Sequence, residues 1–205
     1  MTIWPGPVAP MLASRATGPF DSPDHWFEIK WDGIRCLAFV ETGRVRLQSR
    51  NLLDITARYP GMTALGRHLR GHHRAVLDGE LLGFRDGRPS FQATIRADGA
   101  AVLMAFDLLH LDGEDLLHLP IEDRRAAMEK AFALGGELIC AAPVLGRGRA
   151  YYSAAVGQGL EGVVAKRLGS PYRPGARTRD WLKIAHRRTL DCVVCGLTAG
   201  AVPAR

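Results

Sequence analysis

The stretch Glu28-Ile29-Lys30-Trp31-Asp32-Gly33-Ile34-Arg35 (28–35) decides how this chain is read. A β-rich run, WFEIK (26–30), carries a lysine up to an Asp32-Gly33 turn, and RCLAFV (35–40) resumes as a second β-rich run. A lysine at such a junction is held by its strand and projects its amine into the space beyond. Alone the pattern is weakly specific. Asp-Gly turns are common, and a lysine beside one ordinarily sits in solvent.

Three later segments strengthen it. Leu77-Asp78-Gly79-Glu80-Leu81 sets two acids among apolar strand residues. Glu161-Gly162-Val163-Val164-Ala165-Lys166 puts a carboxylate and an amine at the two ends of one short run. Asp180-Trp181-Leu182-Lys183-Ile184 embeds a lysine in an apolar strand. Charges within strands are costly unless paired or used in chemistry. A buried or edge ion pair accounts for any one of these segments and strains to account for all four in order.

Working outward, RVRLQS (44–49) reads as a strand, and 54–70 as a helix with Asp54 or Thr56 at its start and Gly71 past its end. AVLDGELLGF (75–84) reads as a strand pair and AVLMAFDLLHL (101–111) as a buried strand. IEDRRAAMEKAFAL (121–134) is the clearest helix, and a second covers 153–158. Strands return at GVVAK (162–166) and WLKIA (181–185). The segment 1–23, rich in Pro, Gly and Ala, is expected to wrap the surface irregularly. Strands without regular βαβ alternation point to an α+β fold on antiparallel sheets.

The hydrophobic fraction is 47% and the charged fraction 23%, ordinary for a globular protein. No apolar run approaches the ~20 residues that span a bilayer, and the first residues lack a signal-peptide pattern. The expectation is a soluble, cytoplasmic protein. A net charge of +6 over 205 residues favours a polyanionic partner such as nucleic acid. Cys36 and Cys140 read as buried thiols. Cys192 and Cys195 form one CxxC without further ligands nearby, so two inward strand positions are the plainer reading.

The ordered set of segments resembles the adenylation domain of bacterial ATP-dependent DNA ligases of the non-homologous end-joining type. The matches are EIKWDGIR (28–35), SRN (49–51), LDGEL (77–81), RPSFQ (88–92), AFDLLHLDG (105–113), LPIEDRR (119–125), EGVVAKRLGSPYRPG (161–175) and DWLKI (180–184). The resemblance implies two sheets with flanking helices and an ATP cleft between them, over residues 1–187. Residues 188–205 would then be a linker into an OB-fold domain, carried elsewhere or supplied in trans with an end-joining partner.

The resemblance also implies roles. Lys30 would attack the α-phosphate of ATP and carry AMP as a phosphoramidate. A free lysine titrates near pH ~10.4 and must be activated for this. Arg35, Lys166 and Lys183 are the cations expected around it and around the phosphates. Glu80 and Glu161 would supply oxygen ligands to Mg²⁺, or Mn²⁺, carried by the triphosphate. Glu28 would position adenine and Phe106 would stack on it, although a core Phe in a buried strand is an equal reading of that residue. Arg50 would contact ribose or phosphate, Asp32 would hold the turn, and Trp181 would pack. Nicked or broken duplex DNA, in the bacterial nucleoid, would be the acceptor. Arg173, Arg177, Arg179, Arg187 and Arg188 read equally as DNA-phosphate contacts or as a solvated basic loop. RNA-ligase or capping chemistry, or a non-catalytic module for nucleotide or DNA ends, remain the alternative functions.

Overall fold

The computed structural model describes residues 6–97 and 99–186, with positions 193 and 196. Its strands are β1 (Leu12–Arg15), β2 (Ser22–Ile29), β3 (Ile34–Glu41), β4 (Arg44–Ser49), β5 (Arg74–Arg85), β6 (Arg88–Pro89), β7 (Ala101–Leu111), β8 (Glu114–Asp115), β9 (Leu138–Cys140), β10 (Val144–Gly146), β11 (Gly162–Arg167) and β12 (Arg177–Ala185). The α-helices are α1 (Phe91–Arg96), α2 (Ile121–Ala131) and α3 (Gly148–Gly157). One sheet runs β1-β12-β11-β2-β10. The other runs β4-β3-β5-β7-β8, with β6 on β5 and β9 on β7.

Alternation of side chains along each strand explains how two sheets stack. On β3, Cys36, Ala38 and Val40 enter an outer core with Met62, Leu65 and Met128, while Leu37 and Phe39 point the other way. There they meet Met11, Tyr172 and Trp181, so this second cluster joins the sheets. The far face of the first sheet, through Phe27, Val163, Ala165 and Ile184, is covered by Ala155 of α3. No helix among the described residues is long and apolar enough to cross a membrane.

The α+β reading holds, with several corrections. Both sheets are antiparallel except where β1 pairs with β12 and β9 with β7 in parallel. The 1–23 segment is not wholly irregular, since it contributes β1, and β2 already begins at Ser22. The 54–70 helix is two 3₁₀ segments, Thr56–Arg58 and Pro60–Arg67, because Pro60 restarts the chain after Tyr59. The 75–84 segment is one continuous strand and not a pair. Asp78-Gly79 does not turn, because Gly79 lies flat against β7, where a Cβ would sit 2.7 Å from the Met104 carbonyl. α2 stops at Ala131, as Phe132 turns extended and bridges Leu69. α3 begins five residues before the expected start, at Gly148. Cys36 is fully buried, whereas Cys140 is only partly so. Cys192, Cys195, Arg187, Arg188 and nearly all of the 188–205 linker lie outside the described residues.

One buried ion pair fixes the second sheet to α2. Arg124 Nε and Nη2 donate to the two Asp107 carboxylate oxygens at 2.7 and 2.8 Å, and Nη1 donates to the Ser170 carbonyl at 3.0 Å. Both side chains are fully buried. Removing one partner strands the other charge, which typically costs about 3–5 kcal/mol. Arg124→Ala is therefore expected to lower the urea-unfolding free energy by that amount. Arg125→Ala, whose partner Glu129 is half exposed, is expected to lose about 1 kcal/mol. Equal losses for the two variants would contradict this ranking.

Candidate active site

The parity that builds the sheets also lines the space between them. On β11, Val163 and Ala165 face α3, so Val164 and Lys166 face the second sheet. Val164 lies in register with Glu28 on one side and Lys183 on the other. Opposite them, Arg35 on β3 is in register with Glu80 on β5. The result is a cavity of about 630 Å³. Its lining includes Glu28, Lys30, Arg35, Arg50, Glu80, Phe106, Lys166 and Lys183, eight of the nine site residues expected from the sequence.

Lys30 follows the last residue of β2, and its backbone N–H donates to the Gly162 carbonyl at 2.9 Å. The turn behind it is tight, for a Cβ at Gly33 would lie 2.1 Å from the Leu81 carbonyl. Lys30 Nζ pairs with the Glu161 carboxylate. Glu161, the ninth residue, lines an adjoining cavity of about 360 Å³ together with Asp32, Phe91 and His186, and Lys30 opens onto both spaces.

Phe106 owes its aim to an irregularity. Asp78 pairs with Asp107 and Gly79 with Ala105, which leaves Phe106 as the extra residue of a bulge in β7. Bulges turn a side chain out of its regular direction. Here the ring enters the cavity, with Lys166 Nζ 4.3 Å and the Arg35 guanidinium 4.6 Å from its centroid. Trp181 stands edge-on to it at 6.0 Å and packs against Tyr172, as expected of a packing residue.

Arg35, Lys166 and Lys183 line the same cavity as Lys30, while the group in contact with Lys30 is a carboxylate. Arg35 is taken by Asp78, through Nε and Nη2, each at 2.6 Å. Burial alone would lower the Arg35 pKa, and the Asp78 carboxylate more than reverses this, holding it above its ordinary value. Lys166 is taken by Glu28 at 2.7 Å, with both groups nearly fully buried. Lys183 has no carboxylate partner among the described residues. Burial pushes the Glu80 carboxyl up to about 7, against the opposing pull of Arg35 and Lys30.

Sequence reasoning missed Asp78 as the partner of Arg35, although the two are diagonal neighbours across β3 and β5. It also missed that Arg177, Leu12 and Ala13 help line the cavity. That β12 starts as early as Arg177 was not visible in its Arg- and Gly-rich sequence. Among the described residues no group of three or more His, Cys, Asp or Glu could hold a metal by itself. Glu80 and Glu161 therefore suit an ion that brings most of its oxygen ligands with it.

Comparison with known proteins agrees with this geometry. Residues 10–185 match the family model described as ATP dependent DNA ligase domain. The chain is 41% identical over 197 residues to the multifunctional non-homologous end joining protein LigD of Mycobacterium bovis, covering 94% of this chain and 26% of that protein. It is 39% identical over 207 residues to a probable DNA ligase of Sorangium cellulosum, covering 92% of this chain and 39% of that one. The chain thus spans roughly a quarter to two fifths of the length of these curated relatives. A mycobacterial DNA ligase D complexed with ATP and MES superposes with a TM-score of 0.78 at 39% identity, over 87% of this chain and 60% of that one. Chlorella virus DNA ligase-adenylate shares the fold, with a TM-score of 0.62 at 22% identity, over 85% of this chain and 67% of that one. On this evidence the chain belongs to the ATP-dependent DNA ligase domain family.

Proposed function

We propose that residues 1–187 form a self-adenylating unit that uses ATP, takes AMP on Lys30, and passes it to the 5′-phosphate of nicked or broken duplex DNA for strand joining in end-joining repair. The observation that carries this reading is the Lys30 amine at the rim of a 630 Å³ cavity whose other cations and acids come from all four charged segments of the sequence. A relative named for non-homologous end joining and a neighbour complexed with ATP support the substrate and the process.

In the first step the Lys30 nitrogen bonds to the α-phosphorus, and the bond from that phosphorus to the pyrophosphate oxygen breaks. Glu161, already in contact with Nζ, is placed to accept the proton that the ammonium must lose. Phe106 offers its face to adenine. Glu28, nearly buried and paired with the Lys166 amine that stands over the Phe106 ring, serves that end of the cavity. Lys166 and Arg35 stabilise phosphate charge from fixed positions that their carboxylate partners preorganise. Lys183 and Arg50 add charge that no carboxylate among the described residues offsets. Mg²⁺ or Mn²⁺ held by Glu80 and Glu161 would neutralise phosphate charge. In later steps AMP moves to the DNA 5′-phosphate, and the 3′-hydroxyl displaces it. An OB-fold domain beyond residue 188, or one supplied in trans, would complete the grip on DNA.

Intact mass after incubation with ATP and Mg²⁺ tests the first step. The chain is expected to gain one AMP, reversibly with pyrophosphate, and Lys30→Ala to gain none. GTP labelling in preference to ATP would favour capping chemistry. Binding of ATP without any adduct would leave a binding module.

Glu80 gives a stability test that needs no nucleotide. Its folded pKa of about 7 lies above the ordinary 4.5. Between those values the folded state holds more proton than the unfolded, so stability falls as pH rises through this window and levels off above it. Glu80→Gln removes this dependence. The variant is expected to gain on the parent by on the order of 2 kcal/mol between pH 4.5 and 7.5, read by urea unfolding. A constant difference across that range would refute the assignment.

A further inference from the structure

Tyr172 carries a hydroxyl where packing alone asks for none. The residue is 2% exposed, and its ring stands edge-on to Trp181 at 5.7 Å, a place that a phenylalanine ring would fill equally well. A buried hydroxyl costs free energy unless it is paired. This one is paired twice: it accepts from the Met11 N–H at 2.9 Å and donates to Asp78 Oδ2 at 2.7 Å. Its own backbone is pinned, with the Tyr172 N–H donating to the Leu117 carbonyl at 2.8 Å.

Tyr172 does not line the main cavity, but both partners of its hydroxyl lead there. Asp78 Oδ2 also receives Arg35 Nη2 at 2.6 Å, while Asp78 Oδ1 receives Arg35 Nε at 2.6 Å. Arg35 Nη2 reaches the Met11 carbonyl at 3.2 Å as well. Arg35 lines the cavity together with Leu12 and Ala13, the two residues that follow Met11. The two bonds of the fork fix carboxylate and guanidinium to each other. They do less to fix the pair within the protein, because a carboxylate turns easily about its Cβ–Cγ bond. The Tyr172 hydroxyl supplies that restraint by tying Asp78 and Met11 to one point. Without it the ion pair keeps its charge but is free to pivot, and the guanidinium, 4.6 Å from the Phe106 centroid, turns with it.

We propose that Tyr172 is a positioning residue for self-adenylation, its hydroxyl bridging Met11 and Asp78 so that the Arg35 guanidinium is aimed at the reacting phosphate. This rests on the adenylation reading. Tyr172→Phe leaves every charge of the cavity in place, so it affects the rate and not the affinity. Fixed direction counts most where charge develops in the transition state.

Single-turnover formation of the AMP adduct, followed by intact mass over a range of ATP concentrations, tests this. Each variant is assayed well below its own thermal midpoint, so that a loss of stability does not enter the rate. Tyr172→Phe is expected to lower the rate at saturating ATP about tenfold, with ATP affinity, measured calorimetrically in the Lys30→Ala background, within about twofold of the parent. Arg35→Lys keeps a cation on Asp78 but loses the fork. In that background Tyr172→Phe is expected to change the rate by no more than about twofold, since the group it aims is gone. An unchanged rate in Tyr172→Phe alone would overturn the proposal. So would a weakened ATP affinity with the saturating rate intact, which would leave Tyr172 a packing residue. An equal tenfold loss in both backgrounds would overturn it too, by showing that Tyr172 does not act through Arg35. Failure of the adenylation reading is distinct from all three, appearing as a parent chain that forms no adduct with ATP.

Discussion

A buried carboxylate holds the two walls of the cleft together. Asp78 is fully inaccessible, receives two hydrogen bonds from Arg35 and receives a third from the Tyr172 hydroxyl at 2.7 Å. Tyr172 in turn accepts from the Met11 backbone at 2.9 Å, and Arg35 Nη2 reaches the Met11 carbonyl. One anion thus connects β5 and β3 in the second sheet to the N-terminal segment and the loop before β12 in the first. Burial and the adjacent Asp78 charge raise the Tyr172 pKa well above its ordinary value, which keeps its proton as the donor in this network. A lone charge at this depth would be prohibitively costly, so the partners must stay in place.

The same pairing logic divides the labour of the cleft's cations. Arg35 and Lys166 are expensive to bury, and each is stabilised by a carboxylate that also fixes its direction toward Phe106. Such preorganised groups need little rearrangement when charge develops nearby. Arg50, Arg177 and Lys183, which have no carboxylate partner among the described residues, come from the end of β4 and from β12. The Lys166–Glu28 pair is buried, the Lys30–Glu161 pair is partly exposed, and Arg50 and Arg177 are exposed.

Much of this was legible in the sequence because strand parity is rigid. The α+β class, the strands flanking Lys30, and Glu80, Lys166 and Lys183 follow from charged positions set within apolar alternation, while Glu28, Arg35, Arg50 and Phe106 came with the family resemblance. Three features stayed hidden for definable reasons. The bulge that aims Phe106 depends on how β7 pairs with β5, and no local pattern in AVLMAFDLLHL signals it. The 75–84 stretch reads as a strand pair, but it is one strand whose Gly79 serves a close approach of backbone to backbone. Pairing of Lys30 with Glu161 and of Lys166 with Glu28 joins residues more than a hundred positions apart, and spacing alone does not select partners at that range.

This geometry singles out one amine. Four lysines occur in the chain, and Lys30, Lys166 and Lys183 all line the main cavity. Peptide mapping by tandem mass spectrometry, after brief exposure to ATP and divalent metal, distinguishes them directly. AMP is expected on the peptide containing Lys30 and on no other. Label on Lys166 or Lys183 would contradict it, because the nucleophile would then be a residue that the structure commits to holding charge.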